Sequence, residues 1–464
     1  VSMGEKTEKI VADVKEFVTT QEKQTIAFRQ ELEDVIPYYT LTYFTIPSHK
    51  GDYQVINCPL PRVFSKKVSA ELSYGTLKFE IPLTDPDKPQ RDKESLTEQA
   101  VYGLRGIADD YLVTPFTSVS QSQIAGLIPN TGFIAARYLM FEDKDKVVIP
   151  SLAIWDIRYT YWALGKNNKF SKVCYTRQVT KDEVDDEYNI DATADANGMV
   201  TVYDYWSRSD MEITQKINGK KRVFYPFVEQ VVVGTEIVHE LNIKKNYLPV
   251  YISSIGDLPL IQRDIDMMKY MADTVFSNNK EIWKAQSEMA TYRLKNTRLS
   301  ILTPQVITYD SRLGDPPSLD KSPYKEGAVV YLDIAKGQDV KPFFQPVSNP
   351  DAAVIEAELA QWESMGAAPD ILYGRVSRDL TAQGTAMLIH SAMGVLKSGQ
   401  RGMERFYTWL ANEMIRQYKE GDFDEIHIEG VDGKGKQFSR KITKDDLTTD
   451  RRVIATLNLN APQD

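Results

Sequence analysis

The sequence is short of cysteine, short of histidine and without an excess of basic charge. Two cysteines, Cys58 and Cys174, in 464 residues give no disulfide framework and no paired metal-ligand spacing, so they read as reduced thiols of a protein assembled in a cytosol. Four histidines, His49, His239, His390 and His427, stand in unlike contexts. His390 sits among Ile389, Ser391 and Met393 in a helical pattern, where packing or hydrogen bonding is a better account than catalysis. The chain has no Gly-x-x-x-x-Gly-Lys-Ser/Thr loop, no Gly-x-Gly-x-x-Gly after a strand, no His-Glu-x-x-His and no Gly-x-Ser-x-Gly. The obvious enzymatic signatures are therefore missing, and the expectation is a non-enzyme with no cofactor and no metal. There is also no secretory h-region and no apolar run of about 18 residues, so neither signal-peptide export nor a membrane span is expected.

Lysine and arginine total 56 against 65 aspartates and glutamates, a formal net charge of −9. An ordinary nucleic-acid binder takes its affinity from basic side chains that neutralise phosphates, and this balance argues against one. It does not argue against DNA passing nearby, because an acidic wall with a few basic contacts holds a moving duplex weakly. The rest of the composition, 42% hydrophobic and 26% charged, is that of globular protein with a sizeable core. The length suggests about three domains. Neither the opening Val1-Ser2-Met3 nor the closing stretch from Leu459 to Asp464 reads as a natural boundary, so either end is open to extension.

Residues 1–37 read as an N-terminal helical segment, with Ile10, Val14, Phe17 and Val18, then Ala27, Phe28 and Leu32, at roughly helical intervals. From 38 to 256 the pattern turns to short strands rich in aromatic and β-branched residues. They include Val147 to Ile149 stopped by Pro150, Lys172 to Gln178, Met199 to Trp206, and Gln230 to Val238. A helix between Ser95 and Thr114, marked by Ala100, Leu104, Ile107, Ala108 and Leu112, interrupts them. The run Lys181 to Glu187 groups carboxylates that would suit calcium or magnesium, but it lacks the glycine and alternating ligands of a calcium loop. It reads as a solvated loop.

The strongest patterns lie between 257 and 420. A first helix, 257–295, is expected from a heptad-like stripe of Ile261, Ile265, Met268, Ala272, Val275, Ile282 and Met289, completed by Asn279 and Gln286. At 1.5 Å per residue it would be roughly 50–55 Å long. Residues 296–347 then alternate β-like runs, Leu299 to Leu302, Gln305 to Tyr309 and Ala328 to Ile334, with turns at 314–317 and 337–339. A second helix, 348–366, is announced by Ser348 or Asn349 as cap, Pro350 in the first turn and Asp351 at the positive end of the dipole. Its buried stripe is expected at Ile355, Leu359 and Trp362, and Glu356 and Glu363 make one flank acidic. Glycine and proline between Gly366 and Arg378 forbid a continuous helix, which leaves a loop at 367–380 with a cationic tip. A third helix, 381–420, would bury Met403, Phe406, Tyr407, Leu410, Met414 and Tyr418. Its first half carries Gly384, Ser391, Gly394, Ser398 and Gly402 near one face. Each interior glycine costs about 1 kcal/mol relative to alanine, which suggests close approach by another backbone. Residues 421–464 hold strand-like runs, Asp424 to Val431, Lys436 to Ile442 and Arg452 to Leu459, with a hairpin-type turn at Asp432-Gly433.

In this order and local pattern the chain resembles the portal proteins, the head-to-tail connectors of tailed bacteriophages. The resemblance rests on Asp257 to Tyr270 entering a long helix, the insertion at 296–347, the Asn349-Pro350-Asp351 helix start, and Ala368 to Gly374 followed by Thr381 to Ala386. It extends more weakly over residues 40–460 or so. It implies an α+β multidomain fold with a mixed β-rich wing, long stem helices, a small β-containing clip at 296–347, and a tunnel loop leading to a long helix. It further implies a dodecameric ring at one capsid vertex, with a channel that passes double-stranded DNA during packaging and ejection. The partners would be terminase, the major capsid protein, and tail or adaptor proteins; the chain would assemble in the host cytoplasm and reside in the virion. By the same resemblance Tyr373, Arg375 and Arg378 would face the duplex, Glu356 and Glu363 would line the channel, and Tyr309, Arg312, Asp315, Lys321 and Lys325 would make clip contacts. Two other classes stay open: a coiled-coil scaffold oligomer built on the heptad stripe, with no nucleic-acid role, and a carbohydrate-active enzyme using Glu356 and Glu363. The enzyme would need carboxylates paired across a cleft, whereas seven residues on one helix set these two roughly 10 Å apart along its axis.

Overall fold

The computed structural model describes residues 3–47, 54–82, 88–142, 146–165, 169–208, 213–217, 220–224, 227–234, 236–245, 247–255, 269–271, 274–301, 305–314, 329–337, 350–366, 394–421, 423–433, 435–448 and 451–459. In chain order its α-helices are α1 (Met3–Gln24), α2 (Ile26–Thr40), α3 (Leu60–Tyr74), α4 (Lys88–Leu112), α5 (Ser120–Thr131), α6 (Lys181–Tyr188), α7 (Lys280–Ile301), α8 (Pro350–Gly366) and α9 (Lys397–Glu420). The strands are β1 (Thr76–Glu80), β2 (Phe133–Glu142), β3 (Val148–Trp155), β4 (Thr160–Leu164), β5 (Phe170–Thr180), β6 (Met199–Arg208), β7 (Ile213–Ile217), β8 (Lys220–Phe224), β9 (Phe227–Val233), β10 (Glu236–Lys245), β11 (Val250–Ser254), β12 (Gln305–Tyr309), β13 (Val329–Asp333), β14 (Ile426–Val431), β15 (Gln437–Ile442) and β16 (Ile454–Asn458). The chain is thus mixed α and β with several small sheets. It divides into two units, one of 1–33, 68–274 and 396–464, the other of 34–67 and 275–395.

Alternation of apolar residues builds the first unit in layers. A five-stranded antiparallel sheet, ordered β10-β9-β6-β5-β4, faces a three-stranded sheet ordered β11-β2-β3. Phe133, Ala135 and Leu139 of β2 and Trp155 of β3 meet Val173, Trp206 and Phe227 of the larger sheet, with Phe28 and Leu32 of α2 closing the same core. Each of the large side chains among them contributes about 1.5–3 kcal/mol when fully buried. On the outer face of the larger sheet, α1 sets Val11 and Val14 against Tyr161, Cys174, Tyr205 and Val232.

Helix α9 covers the other face of the smaller sheet, where Phe406 and Trp409 pack on Tyr251 with ring centroids 5.5 and 5.3 Å away. β11 pairs with β2 only from Phe133 to Arg137, so the backbone groups of β2 beyond that point need another partner. Gln417 of α9 supplies it: its Nε2 donates to Tyr138 O at 2.8 Å and its Oε1 accepts from Met140 N at 3.0 Å. Of the small residues expected to mark close approach, Gly384 and Ser391 lie outside the described residues and Gly394 has open space around it, but Gly402, with Gly399 near it, is closely approached, by side chains rather than by another backbone. A Cβ on Gly399 would lie 3.0 Å from Leu72 Cδ1, and one on Gly402 would lie 3.0 Å from Ile255 Cγ1. The described part of the expected helix 381–420 starts with a 3-10 turn at Gly394–Leu396, and α9 proper begins at Lys397. β16 returns to pair antiparallel with β1.

Three local expectations are corrected in this unit. Pro150 does not stop its strand: it lies inside β3 opposite Met140, which is tolerated because β3 is an edge strand of its sheet. The run Gln230 to Val238 is two strands, because Gly234 at φ +59 turns β9 into β10. The acidic run is the helix α6, not a loop. Thr180 Oγ1 accepts from Glu183 N at 3.3 Å and the Glu183 carboxylate accepts from Thr180 N at 2.7 Å, a capping box whose Thr-x-x-Glu spacing the loop reading overlooked. Val184 anchors the helix on Val200, Val202, Val231 and Val233. Thr180→Ala is accordingly expected to lower stability by about 1 kcal/mol in urea titration, while Asp186→Ala on the same helix, outside the cap, should change it by less than about 0.5 kcal/mol.

Of the expected helix 257–295, residues 257–268 and 272–273, with Ile261, Ile265, Met268 and Ala272 of its stripe, lie outside the described residues; 269–271 form a 3-10 turn, and the helix described in the second unit starts later. Residues 275–279 form a turn, and α7 runs from Lys280 through Ile301, taking in part of the expected strand at 299–302. The turn is closed by Phe276 O, which accepts from Asn279 N at 3.1 Å and Lys280 N at 3.0 Å, and the first turn of the helix follows as Trp283 N donates to Asn279 O at 3.0 Å. The buried side of α7 is not the heptad stripe either. Asn279, Trp283, Ser287 and Thr291 are buried, while Ile282 and Met289 are half-buried. That side is polar because it receives an extended backbone: Ile56 N donates to Thr291 Oγ1 and Cys58 N to Ser287 Oγ, both at 2.9 Å. Tyr38 stacks on Tyr43 at 4.5 Å and lies near Phe276 and Trp283. Residues 38–67, expected to open the wing, therefore pack in this unit. Between α7 and α8, β12 and β13 form a parallel pair.

Candidate functional site

The two carboxylates singled out in the sequence lie on α8 and both turn toward α7. Glu363 accepts from Trp283 Nε1 at 2.9 Å and from Gln286 Nε2 at 3.0 Å, and Glu356 takes both of its bonds from Arg293 Nη1, at 2.8 and 2.6 Å. Rising numbers on one helix meet falling numbers on the other, so α7 and α8 run antiparallel. Trp283 is fully buried, which makes the Glu363 contact the stronger of the two; the Arg293 side chain is 68% exposed, and such surface pairs contribute about 0–1 kcal/mol. The expected acidic wall is thus partly tied down by its neighbour helix.

Of the stripe expected on α8, Leu359 is buried, while Ile355 is 47% and Trp362 53% exposed, together with Val354 at 58%. At about 100° per residue, Leu359, Glu363 and Glu356 share the arc facing α7. Val354, Ile355 and Trp362 occupy the adjacent arc with the exposed Glu358. This arc is apolar, acidic and open.

The loop residues Tyr373, Arg375 and Arg378 and the insertion residues Asp315, Lys321 and Lys325 lie outside the described residues. Tyr309 is half-buried at the end of β12. Arg312 is exposed and forks onto Asp310, Nε to Oδ1 at 3.0 Å and Nη2 to Oδ2 at 2.8 Å. Burial pushes both thiols up, Cys174 well above the usual range and Cys58 with a further push from Glu363, so neither is a ready thiolate. Among the described residues no cluster of three or more His, Cys, Asp or Glu side chains is placed to hold a metal ion, and no helix is long and apolar enough to cross a membrane.

A second site was not foreseen. Beside the core of the first unit, a cavity of about 670 Å³ opens between the two sheets, walled on one side by α6. Arg137 of β2 reaches across it. Its Nη1 donates to Asp204 Oδ2 of β6 at 2.7 Å and to Glu229 Oε1 of β9 at 2.5 Å. A second polar group follows, in which Arg177 Nη2 donates to both oxygens of Glu187 and to Tyr188 Oη, each at 2.6 Å. Trp155 and Tyr175 stack at 5.0 Å in the cavity wall.

The electrostatics of the trio are set by burial. Glu229 is fully buried and Asp204 nearly so. Burial first, and then the charge of Asp204, hold the Glu229 carboxyl far above the ordinary carboxylate range, with Arg137 opposing them in part. Burial works against the charge of Arg137, but Asp204 and Glu229 outweigh it and raise its pKa. Glu229 Oε2 and Asp204 Oδ1 are both buried without a donor among the described residues. Arg137 Nε, a donor, is likewise buried without a partner among the described residues. The signal was present in the sequence. Arg137 shares strand parity with Ala135 and Leu139, Asp204 with Val202 and Trp206, and Glu229 with Phe227 and Val231, so each is a charge at a core position.

No protein-family model matches the chain, and no curated protein is significantly similar to it.

Proposed function

We propose that the chain is a portal subunit: a non-enzymatic component of a closed ring at one capsid vertex, through which double-stranded DNA is packaged and later ejected. The observation that carries this reading is the open arc of α8. Val354, Ile355 and Trp362 are large apolar side chains about half exposed on one helix, and exposed apolar surface of this kind marks a face that another molecule covers. Further support comes from the portal-like order of sequence elements and from the acidic character of α8, where Glu358 stands exposed beside the arc. In this reading neighbouring copies meet along the arc, the remaining acidic surface of the stem repels the phosphate backbone, and the loop 367–380 presents Tyr373, Arg375 and Arg378 to the duplex. The 296–347 insertion, with Tyr309 and Arg312, docks terminase during packaging and tail or adaptor proteins afterwards. Terminase supplies the ATP-driven force, since the chain has no nucleotide-binding loop.

Native mass spectrometry of the purified chain tests this directly. The expected result is a large closed oligomer for the wild type and a shift to monomers for Trp362→Asp, whose exposed position limits the effect on the subunit's own stability to about 0.5 kcal/mol. A wild type that stays a dimer or trimer supports the scaffold reading, and ATP hydrolysis by the chain alone at motor-like rates overturns the passive role.

A further inference from the structure

We propose that the cavity between the two sheets of the first unit binds a small neutral molecule, an aryl ketone or amide in chemical class, whose apolar body fills the space while its carbonyl oxygen accepts from Arg137. The space is large enough. Protein interiors leave few voids wider than a water molecule, whereas about 670 Å³ lies within the range of small-molecule pockets. The wall suits an aromatic body. Leu139 of β2, Ala153 and Trp155 of β3, Tyr175 of β5, Val202 of β6 and Val231 of β9 are all part of it, and two of these six are aromatic rings that a third ring packs against favourably.

The polar atoms of the wall set the rest of the chemistry. Asp204 Oδ1, Glu229 Oε2 and Arg137 Nε are buried, so a molecule in the cavity reaches none of them. Arg137 Nη2 is different. It makes no hydrogen bond among the described residues, since both bonds of this guanidinium leave from Nη1, and it is not one of the buried unpartnered atoms. The Arg137 side chain accordingly keeps 20% of its exposure, and the cavity is what that surface faces. A guanidinium N–H with surface and without an acceptor is matched by an oxygen of the ligand.

The body that carries this oxygen is uncharged. Three carboxyl groups, on Glu187, Asp204 and Glu229, stand around the cavity against the two guanidiniums of Arg137 and Arg177, so no net positive charge calls for an anion. Apart from the two buried oxygens, each carboxylate oxygen already accepts from an arginine: Asp204 Oδ2 and Glu229 Oε1 from Arg137, both Glu187 oxygens from Arg177. The donors of a cation would have to compete with a guanidinium. The inference does not depend on the portal reading, since nothing in the ring argument uses this cavity.

Isothermal titration of the full chain with acetophenone, and with ethylbenzene, benzoate and benzamidine as controls of similar size, tests it. Acetophenone is expected to bind saturably at one site. Ethylbenzene, which lacks the oxygen, should bind at least about fivefold more weakly, and the charged benzoate and benzamidine at least about tenfold more weakly. Ala153, partly buried and paired with Arg137 across β2 and β3, projects into the cavity, so Ala153→Phe should occupy the ligand's place and weaken acetophenone binding at least about fivefold. Irradiation of the wild type with benzophenone, whose excited ketone inserts into nearby C–H bonds, locates the site without a variant. The label is expected on peptides that carry β2, β3, β5, β6, β9 or α6, and excess acetophenone should prevent it. No binding of acetophenone, a control that binds as tightly as the ketone, label confined to other peptides, or unchanged affinity in a folded Ala153→Phe would each overturn the proposal. The ligand comparison and the labelling use the wild type, so they stand whether or not the variant folds.

Discussion

Replacing Arg137 by methionine is expected to lower the stability of the first unit by about 3–5 kcal/mol, the loss typical of removing one partner from a buried ionic group and leaving the others uncompensated. Asp204 and Glu229 both bond to Arg137 Nη1 across the gap between the sheets, so the substitution removes the only cation that touches either carboxylate among the described residues. Glu229→Gln is expected to behave in the opposite way. Its amide reproduces a protonated carboxyl and still accepts from Arg137. Because the folded protein holds Glu229 far above its unfolded range, this group favours folding most below the ordinary carboxylate range, and that advantage is lost as pH rises toward the raised folded value. From about pH 5 upward the wild type should therefore lose up to about 1.4 kcal/mol per pH unit that the Gln variant keeps, until Glu229 ionises. Urea titrations of both proteins at about pH 5, 6.5 and 8 check this. Curves that diverge with pH, the variant the more stable at the alkaline end, are the expected outcome; parallel curves would show that Glu229 is already ionised in the folded protein.

Trp283→Ala should be as damaging in the second unit, at about 3–5 kcal/mol. Trp283 is fully buried, packs near Tyr38 and Phe276, and donates its indole N–H to Glu363. Its loss therefore opens a cavity and removes one of the two donors that hold the Glu363 carboxylate against α7. Trp283→Phe separates the two effects, because it keeps most of the volume and deletes the donor. Its expected cost is about 1.5–3 kcal/mol, the range for hydrogen bonds to charged groups. Chemical denaturation followed by tryptophan fluorescence and circular dichroism measures both, and a Phe variant as stable as the wild type would mean that the Glu363 contact contributes nothing.

What the sequence disclosed follows from the kind of signal each element carries. Met403, Phe406, Tyr407, Leu410, Met414 and Tyr418 recur at helical spacing and are all buried on α9, since a helix against a sheet must bury one continuous stripe. β5 and β6 were visible for the parallel reason, a run of aromatic and β-branched residues bounded by polar ones. The start of α7 was hidden because Ile282 and Met289 looked like heptad positions, whereas the partner of this helix is the backbone at 56–58, which calls for hydroxyls rather than methyls. α6 was hidden by composition: its carboxylates suggested solvent, although Thr180 and Glu183 carried the cap. Arg137, Asp204 and Glu229 were hidden most completely. Each looks like a surface charge until strand parity places it inside, and only the pairing of β2, β6 and β9 into facing sheets brings the three together. Glu356 and Glu363 were correctly placed on one side of one helix, but the sequence could not show that α7 supplies Arg293, Trp283 and Gln286 to meet them.

The ring is the claim on which the functional account rests, and negative-stain electron microscopy of the purified full chain tests it most directly. The account predicts top views of closed rings with a central hole wide enough to admit a DNA duplex, lost in Trp362→Asp. Fields of isolated monomers, dimers or trimers from the wild type, with no ring at any protein concentration, would contradict it.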